Sequence, residues 1–349
     1  MAVVVVAVLA VLAGTAGWWL SRPFAEAPGT GGRAMPAAPL PSSARGDIDA
    51  AVRASGAEAL VAVRDGRQVH ATGAVRELYN VASVRKSLVG ALYGIAAERG
   101  LIDLDATLGE LGVDEPGTPL TATEKSATVW DLLRARSGVY LPSIGESGGM
   151  KERRPARGSH RPGTFFYYNN WDFNALGVIF ERRTGLTLGE AFTEWIAEPT
   201  GMRDFGPGNV VYQSSDDTEL RMYRFYMSAG DLARFAALYA DGGRWQGRQV
   251  VPREWVERTL ARHSPVGHSD VYDGYGLLWW TDSERGLVWA DGSGGQLVAV
   301  DPARRAAVVS LNDTGRSPLG VWWYGVTGEE ADRTAVLTAV DALRGEDSA

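Results

Sequence analysis

Strand-forming patterns lie near both ends of this 349-residue chain and helix-forming patterns fill its middle, an arrangement that restricts the fold more than any other feature. Near the start, Ala59 to Arg64 and Gln68 to Thr72 are short strand patterns around Asp65-Gly66, a strong hairpin signal. Near the end, strand patterns recur at 275–280, 286–290, Gln296 to Asp301 and Ala306 to Leu311, the last two joined by the turn Pro302-Ala303-Arg304-Arg305. Helical patterns occupy 46–56 and 330–344 beside these strands, and 129–136, 171–184, 188–198 and 228–241 between them. Residues 83 to about 99 form a further helix with an apolar stripe of Leu88, Leu92, Ile95 and Ala96, stopped by Gly100. The expected class is α+β: one antiparallel sheet flanked by helices, carrying a large, mostly helical insert lobe over about 104–240 within a domain of 46–345. A cleft between the two lobes is the natural place for a ligand.

The first forty-five residues read as a separate unit. Residues 2–20, AVVVVAVLAVLAGTAGWWL, carry no charge and are about long enough to cross a bilayer, with Trp18 and Trp19 suited to the interface. A cleaved signal is the rival reading, but the run lacks a basic start, and its best small-residue site, Ala25-Glu26-Ala27, precedes Pro28. The expectation is a membrane anchor over 1–20 and a flexible Pro/Gly/Ala-rich linker over 21–45, with the folded domain outside the cytoplasm. Arg22 and Arg33 pull against that orientation under the positive-inside rule. A net charge of −7 with no basic stripe gives no reason to expect nucleic acid. The absence of cysteine removes disulfides, thiolate metal sites, a cysteine nucleophile and a lipid-modified cysteine.

Ser83-Val84-Arg85-Lys86 is the stretch that points to chemistry. On a helix, a spacing of three places the serine and lysine on one face about one turn apart. A serine hydroxyl needs a base within hydrogen-bond reach, and Lys86 serves if burial lowers its pKa. With three lysines and 21 serines in the chain, chance alone supplies roughly 0.2 such pairs, so the motif suggests without deciding. A helix-capping serine followed by a solvated lysine is the plain alternative. A second motif, Phe166-Tyr167-Tyr168-Asn169-Asn170, brings a tyrosine able to shuttle protons with a lysine, and an asparagine able to donate to a substrate carbonyl and hold Lys86 through its oxygen. Tyr167/Asn169 and Tyr168/Asn170 both satisfy Tyr-x-Asn, and a wet aromatic turn is the non-catalytic alternative.

With these segments, the chain resembles the serine β-lactamases, penicillin-binding proteins and related esterases and amidases, nearest to the subgroup containing 6-aminohexanoate-dimer hydrolase. The resemblance covers most of 46–345 and is carried by Asn80-Val81-Ala82-Ser83-Val84-Arg85-Lys86-Ser87, Gly100-Leu101-Ile102-Asp103-Leu104-Asp105, Trp130 to Val139, the Phe166–Asn170 run and Met227 to Phe235. It implies a β-lactamase/transpeptidase-like fold and selects Tyr168 and Asn170 from the two registers. The family's third motif, a cation followed by Thr/Ser and Gly on the strand beside the nucleophile, is represented by Ala290-Asp291-Gly292-Ser293-Gly294-Gly295-Gln296. Ala290 stands where the cation belongs. A charge-assisted contact to a free carboxylate there contributes about 1.5–3 kcal/mol, so its loss argues against β-lactams and D-alanyl-D-alanine peptides unless another arginine compensates. Gly292 and Gly294 allow the strand to approach the substrate, and the Ser293 N–H is expected to pair with that of Ser83 as an oxyanion hole.

The resemblance implies attack by Ser83 on a small-molecule ester or amide, with Lys86 and Tyr168 moving the proton and no metal or organic cofactor taking part. That scheme needs Lys86 neutral or Tyr168 ionised at working pH. A D,D-carboxypeptidase or β-lactamase, and a catalytically weak anchored binding protein, are the alternatives. Oligomeric state is not legible. Other patterns compete weakly. Gly145-Glu146-Ser147-Gly148-Gly149 fits G-x-S-x-G but lacks the strand and helix a nucleophile elbow needs. His70, His160, His263 and His268 show no metal spacing. Asp103 and Asp105 fit a helix start, Trp279-Trp280 fits core or cleft wall, and Glu152-Arg153-Arg154 fits a solvated loop.

Overall fold

The computed structural model describes residues 32–267, 269, 271–313 and 318–345. The two strand-rich ends meet as expected. β1 (Ala59–Arg64) and β2 (Arg67–Gly73) form a hairpin, and Asp65 and Gly66 take φ of 49° and 69°, the left-handed pair that a tight two-residue turn requires. The chain continues with β3 (Tyr79–Asn80), β4 (Val210–Ser215), β5 (Thr218–Met227), the small ribbon β6 (Arg244–Trp245) and β7 (Arg248–Gln249), β8 (Ser264–Pro265), β9 (Gly274–Tyr275), β10 (Trp280–Asp282), β11 (Leu287–Gly292), β12 (Gln296–Asp301) and β13 (Ala306–Leu311). Eight of these make one antiparallel sheet in the order β2-β1-β13-β12-β11-β10-β9-β8, with Val61 opposite Val309 where the chain ends meet.

Side chains alternate across this sheet as the period of two demands. Ala59, Val61 and Val63 join Val298, Val300, Val309 and Leu311 on the face towards the insert lobe. Leu60, Ala62, Leu297, Ala299 and Val308 point the other way, onto Ile48 and Val52 of α1 (Ser42–Ser55) and Ala335, Val336, Ala339 and Val340 of the C-terminal helix Pro318–Gly345. With both faces covered, the strands read as nearly continuous apolar runs.

Several expectations change. Residues 32–45 are not a tether: Ala37 bridges Gln68, Ala38 N–H donates to Gln68 O at 3.0 Å, Leu40 is buried, and α1 begins at Ser42. The run 275–280 is two short strands separated by a turn at which Leu278 takes φ of 64°. The lobe of 104–240 is mostly helical as expected but also holds β4 and β5, which join β3 in a three-stranded sheet with Val210 opposite Phe225. Its last helix, Ala229–Ala240, packs on β1, β12 and β13 and so belongs to the sheet layer. Ser228 caps that helix, while Asp231 accepts the N–H groups of Arg203, Asp204 and Phe205, which fastens the lobe to it. The run 2–20 lies outside the described residues, and among those described no helix is long and apolar enough to cross a membrane.

Candidate active site

The backbone just before Ser83 is held in an unusual shape. β3 pairs with β5, and Val81 N–H continues the ladder to Phe225 O at 3.0 Å. Ala82 then takes φ of 46°, rare for a residue with a side chain, while Asn80 Oδ1 accepts its N–H at 3.0 Å. Residues Ala82–Val84 make a single 3₁₀ turn that opens α2 (Arg85–Glu98). Helix α2 is buried all round from Arg85 to Ala96, a wider apolar contact than the one-sided stripe read from the sequence. It is locked by Ser87 Oγ–H to Leu278 O at 2.7 Å and by Trp255 Nε1–H to Gly90 O at 2.9 Å. The nucleophile candidate is therefore presented by a rigid element at a strained corner.

The end of β11 closes on this corner. A Cβ at Gly292 would lie 2.7 Å from Val81 O and 3.0 Å from Ser83 N, so only glycine lets the strand approach. Ser293 follows on the cleft wall, and Gly294 and Gly295 turn the chain with φ of 87° and 74°.

Lys86 Nζ lies 2.7 Å from Ser83 Oγ. Lys86 is buried, and its Nζ sits 4.9 Å above the ring centres of both Tyr168 and Phe173. Burial, followed by the neighbouring Arg85 charge, drives its pKa well below the usual lysine value, with Asp291 pulling weakly the other way. Tyr168 shares a side-chain hydrogen bond with Ser83, yet burial pushes its pKa well above the usual tyrosine value. Of the two charge states the scheme allowed, the environment favours a neutral Lys86 beside a protonated Tyr168.

The two Tyr-x-Asn registers separate by role. Tyr167 is buried and its hydroxyl donates to Met150 O at 2.8 Å. Asn169 caps the helix Asn170–Thr184 by accepting Asp172 N–H at 2.9 Å. Tyr168 and Asn170 line the cleft with Ser83. Asn170 differs from its expected contact with Lys86: its Nδ2–H donates to Gly145 O at 2.5 Å, and its buried Oδ1 has no partner among the described residues. The bond to Gly145 O fixes the amide's orientation, while Lys86 Nζ bonds Ser83 Oγ instead.

The cleft, of about 420 Å³, lies between the sheet and the insert lobe. Ala290 faces the core beside Val288 and brings no charge. Asp291 does reach the cleft, but it accepts Tyr272 Oη–H at 2.6 Å and Arg333 Nη2–H at 2.9 Å. Sequence reasoning missed Arg333, which lies 42 positions away on the C-terminal helix, and it missed Arg85, Arg153 and Arg224 as cleft residues. Spacing gave no signal for Arg85, because neighbouring residues on a helix point in different directions.

The competing patterns settle into structural roles. Ser147 Oγ accepts Met150 N–H at 3.2 Å as a helix cap, and no strand precedes it. Asp103 accepts Asp105 N–H, His70 pairs with Asp49, His263 bonds Arg258 O, and His268 lies outside the described residues. Trp279 is core and Trp280 is cleft wall. Glu152 and Arg153 are exposed as expected but end the helix Gly148–Arg153 rather than forming a loop, and Arg154 pairs with Glu146.

Comparison with known proteins identifies the family. Residues 46–323 match the beta-lactamase family. The 6-aminohexanoate-dimer hydrolase of Paenarthrobacter ureafaciens is 29% identical over 301 residues, covering 74% of this chain and 72% of that protein. Esterase EstB of Burkholderia gladioli is 26% identical over 212 residues, covering 55% of this chain and 47% of the esterase. A Bacillus anthracis structure provisionally assigned as a 6-aminohexanoate-dimer hydrolase superposes with a TM-score of 0.64 at 20% identity, covering 90% of this chain and 88% of that one, a likeness of fold. The family match runs from the first helix through the whole sheet and takes in the Ser83 corner, Tyr168 and β11, so this chain belongs to the β-lactamase family and is a hydrolase with the β-lactamase/transpeptidase-like fold.

Proposed function

We propose that the protein is a serine hydrolase that cleaves a small ester or amide through an acyl-enzyme on Ser83. The observation that carries this reading is the 2.7 Å contact between Ser83 Oγ and a buried Lys86 whose pKa is driven down. A neutral amine accepts the hydroxyl proton as Oγ bonds to the carbonyl carbon. The Ser83 and Ser293 N–H groups hold the oxyanion. The proton passes from Lys86, by way of Tyr168, to the departing alcohol or amine as the carbonyl–heteroatom bond breaks. Water then attacks the acyl-enzyme along the same route, the acid leaves, and Oγ recovers its proton. Asn170 Oδ1, left without a donor, favours a substrate N–H and hence an amide.

Recognition of penicillins or D-alanyl-D-alanine has less support, because Ala290 is uncharged and Arg333 is engaged by Asp291. The uncharged run 2–20 supports tethering to a membrane; a catalytic domain outside the cytoplasm is the orientation proposed, and fractionation and protease protection of the full chain would test both.

The reading is tested by intact-mass labelling of the full-length protein with a fluorophosphonate and, separately, a penicillin. A single fluorophosphonate adduct, absent in Ser83→Ala, is expected. Ser83→Ala should also lose at least about 10⁴-fold in turnover while keeping its melting temperature. A lasting penicillin adduct would move the assignment to the penicillin-binding side of the family. No adduct from either reagent would leave a binding protein of the same fold.

A further inference from the structure

Arg85 brings a charge to a place where no described residue answers it. Its side chain is buried at 1% exposure, and neither Nη1 nor Nη2 has a hydrogen-bond partner. The guanidinium carbon lies over the Tyr223 ring, 4.2 Å from its centre, a contact that stabilises the charge but gives Nη1 and Nη2 no acceptor. Other buried arginines are served differently: Arg234 donates to Thr200 O and lies 3.8 Å from Asp231. Arg85 lines the same cleft as Ser83, and Arg224, from β5, adds a second guanidinium there. The carboxylate lining the cleft, Asp291, is engaged by Tyr272 and Arg333.

A buried guanidinium without a partner is costly. That cost falls if an anion enters with the ligand. Two adjacent free Nη groups form a planar fork, the shape that meets a carboxylate with two parallel bonds. We propose that Arg85 is the subsite for a carboxylate carried by the substrate, so that this hydrolase acts on esters or amides of carboxylate-bearing compounds rather than neutral ones. The inference rests on the Ser83 hydrolase reading. It places the carboxylate against α2 and β5, not against β11.

The test compares mono-p-nitrophenyl glutarate with its methyl-capped diester, on the full-length protein. The readout is the ratio of their kcat/KM values, since any change in Lys86 caused by removing the Arg85 charge affects both esters alike. The unaltered protein is expected to favour the free carboxylate at least about tenfold, and Arg85→Met to reduce that ratio about 10- to 100-fold. Arg85→Lys should reduce it several-fold, because a point charge makes no forked contact. If Arg85→Met does not fold, Arg85→Lys carries the assignment. Free glutarate, and not dimethyl glutarate, should slow fluorophosphonate labelling of Ser83 in the unaltered protein. Normal Ser83 labelling with a ratio near one, or a ratio that neither substitution changes, would overturn the carboxylate subsite and leave the hydrolase reading standing. Failure of both esters together with failure of labelling would remove the hydrolase reading itself.

Discussion

The two walls of the cleft treat charge in opposite ways. On the β11 wall, Asp291, Arg333 and Tyr272 answer one another. On the wall built by α2 and β5, Lys86 is buried against aromatic rings and Arg85 keeps two free donors. Both lie at the end of a well-packed secondary element, so the difference is not one of order. It is a difference of satisfaction: the first network is closed on itself, while an unsatisfied donor retains free energy that an incoming acceptor can recover.

Lys86→Met attacks the α2 wall directly and carries the largest expected effect. Turnover should fall about 10³-fold or more, measured as kcat/KM on an activated ester. In the unaltered enzyme kcat/KM should rise with pH on the acid limb as Lys86 loses its proton, with a midpoint well below that of a free lysine. Stability carries the same sign. The folded-state pKa is depressed, so the unfolded chain binds the proton first, and stability from this group is lost as pH falls from the unfolded lysine value through the folded one. Lys86→Met should flatten that slope in denaturation curves taken across alkaline pH.

Gly292→Ala tests how closely the two walls must meet. Its Cβ would press on Val81 O and Ser83 N, both backbone atoms, so the strand must retreat. A loss of about 1–3 kcal/mol in denaturant stability is expected, with a fall of about 10²-fold in kcat and a smaller change in KM. Unchanged kcat would detach β11 from the reaction.

Asp291→Asn makes the satisfied wall resemble the other one by releasing Arg333. Asp291 is about one quarter exposed, so the cost should be modest, about 1 kcal/mol in thermal or denaturant unfolding. The freed guanidinium should raise binding of penicillin-like carboxylates on this side, read as a faster or new adduct on Ser83.

Asn169→Ala has the smallest expected effect and separates a cap from a site residue. Loss of the cap to Asp172 N–H should cost about 1 kcal/mol of stability with kcat/KM within a few-fold of the parent. Asn170→Ala, one position on, should do the reverse, and a matched amide and ester pair should show the amide suffering more.

What was legible in the chain follows from how local each interaction is. The Ser83–Lys86 contact spans one helical turn, so spacing alone brings the two side chains together. The Asp65-Gly66 turn needs only its own two left-handed residues. The hairpin of β4 and β5 was less legible although Val210, Tyr212, Tyr223 and Phe225 carry strand-forming side chains, because helical patterns on both sides made the stretch read as loop. The packing of 36–45 was hidden by its proline and alanine content, since edge pairing with β2 and burial of Leu40 leave no periodic mark.

The sequence by itself determined the chemistry on offer: a serine and a lysine one turn apart, a tyrosine and an asparagine in a second segment, a glycine-rich strand end with no cation before it, and strand patterns at both ends that pair across the sheet. Only the tertiary structure decided which of these groups go unanswered. Arg333 meets Asp291 from a helix 42 positions away, Asn170 meets Gly145 across 25, and Arg85 meets only the face of Tyr223. Partnership at such separations, and the pKa shifts that burial imposes, depend on which surfaces the fold brings together and how completely it excludes water, and neither is written in the spacing of residues along the chain.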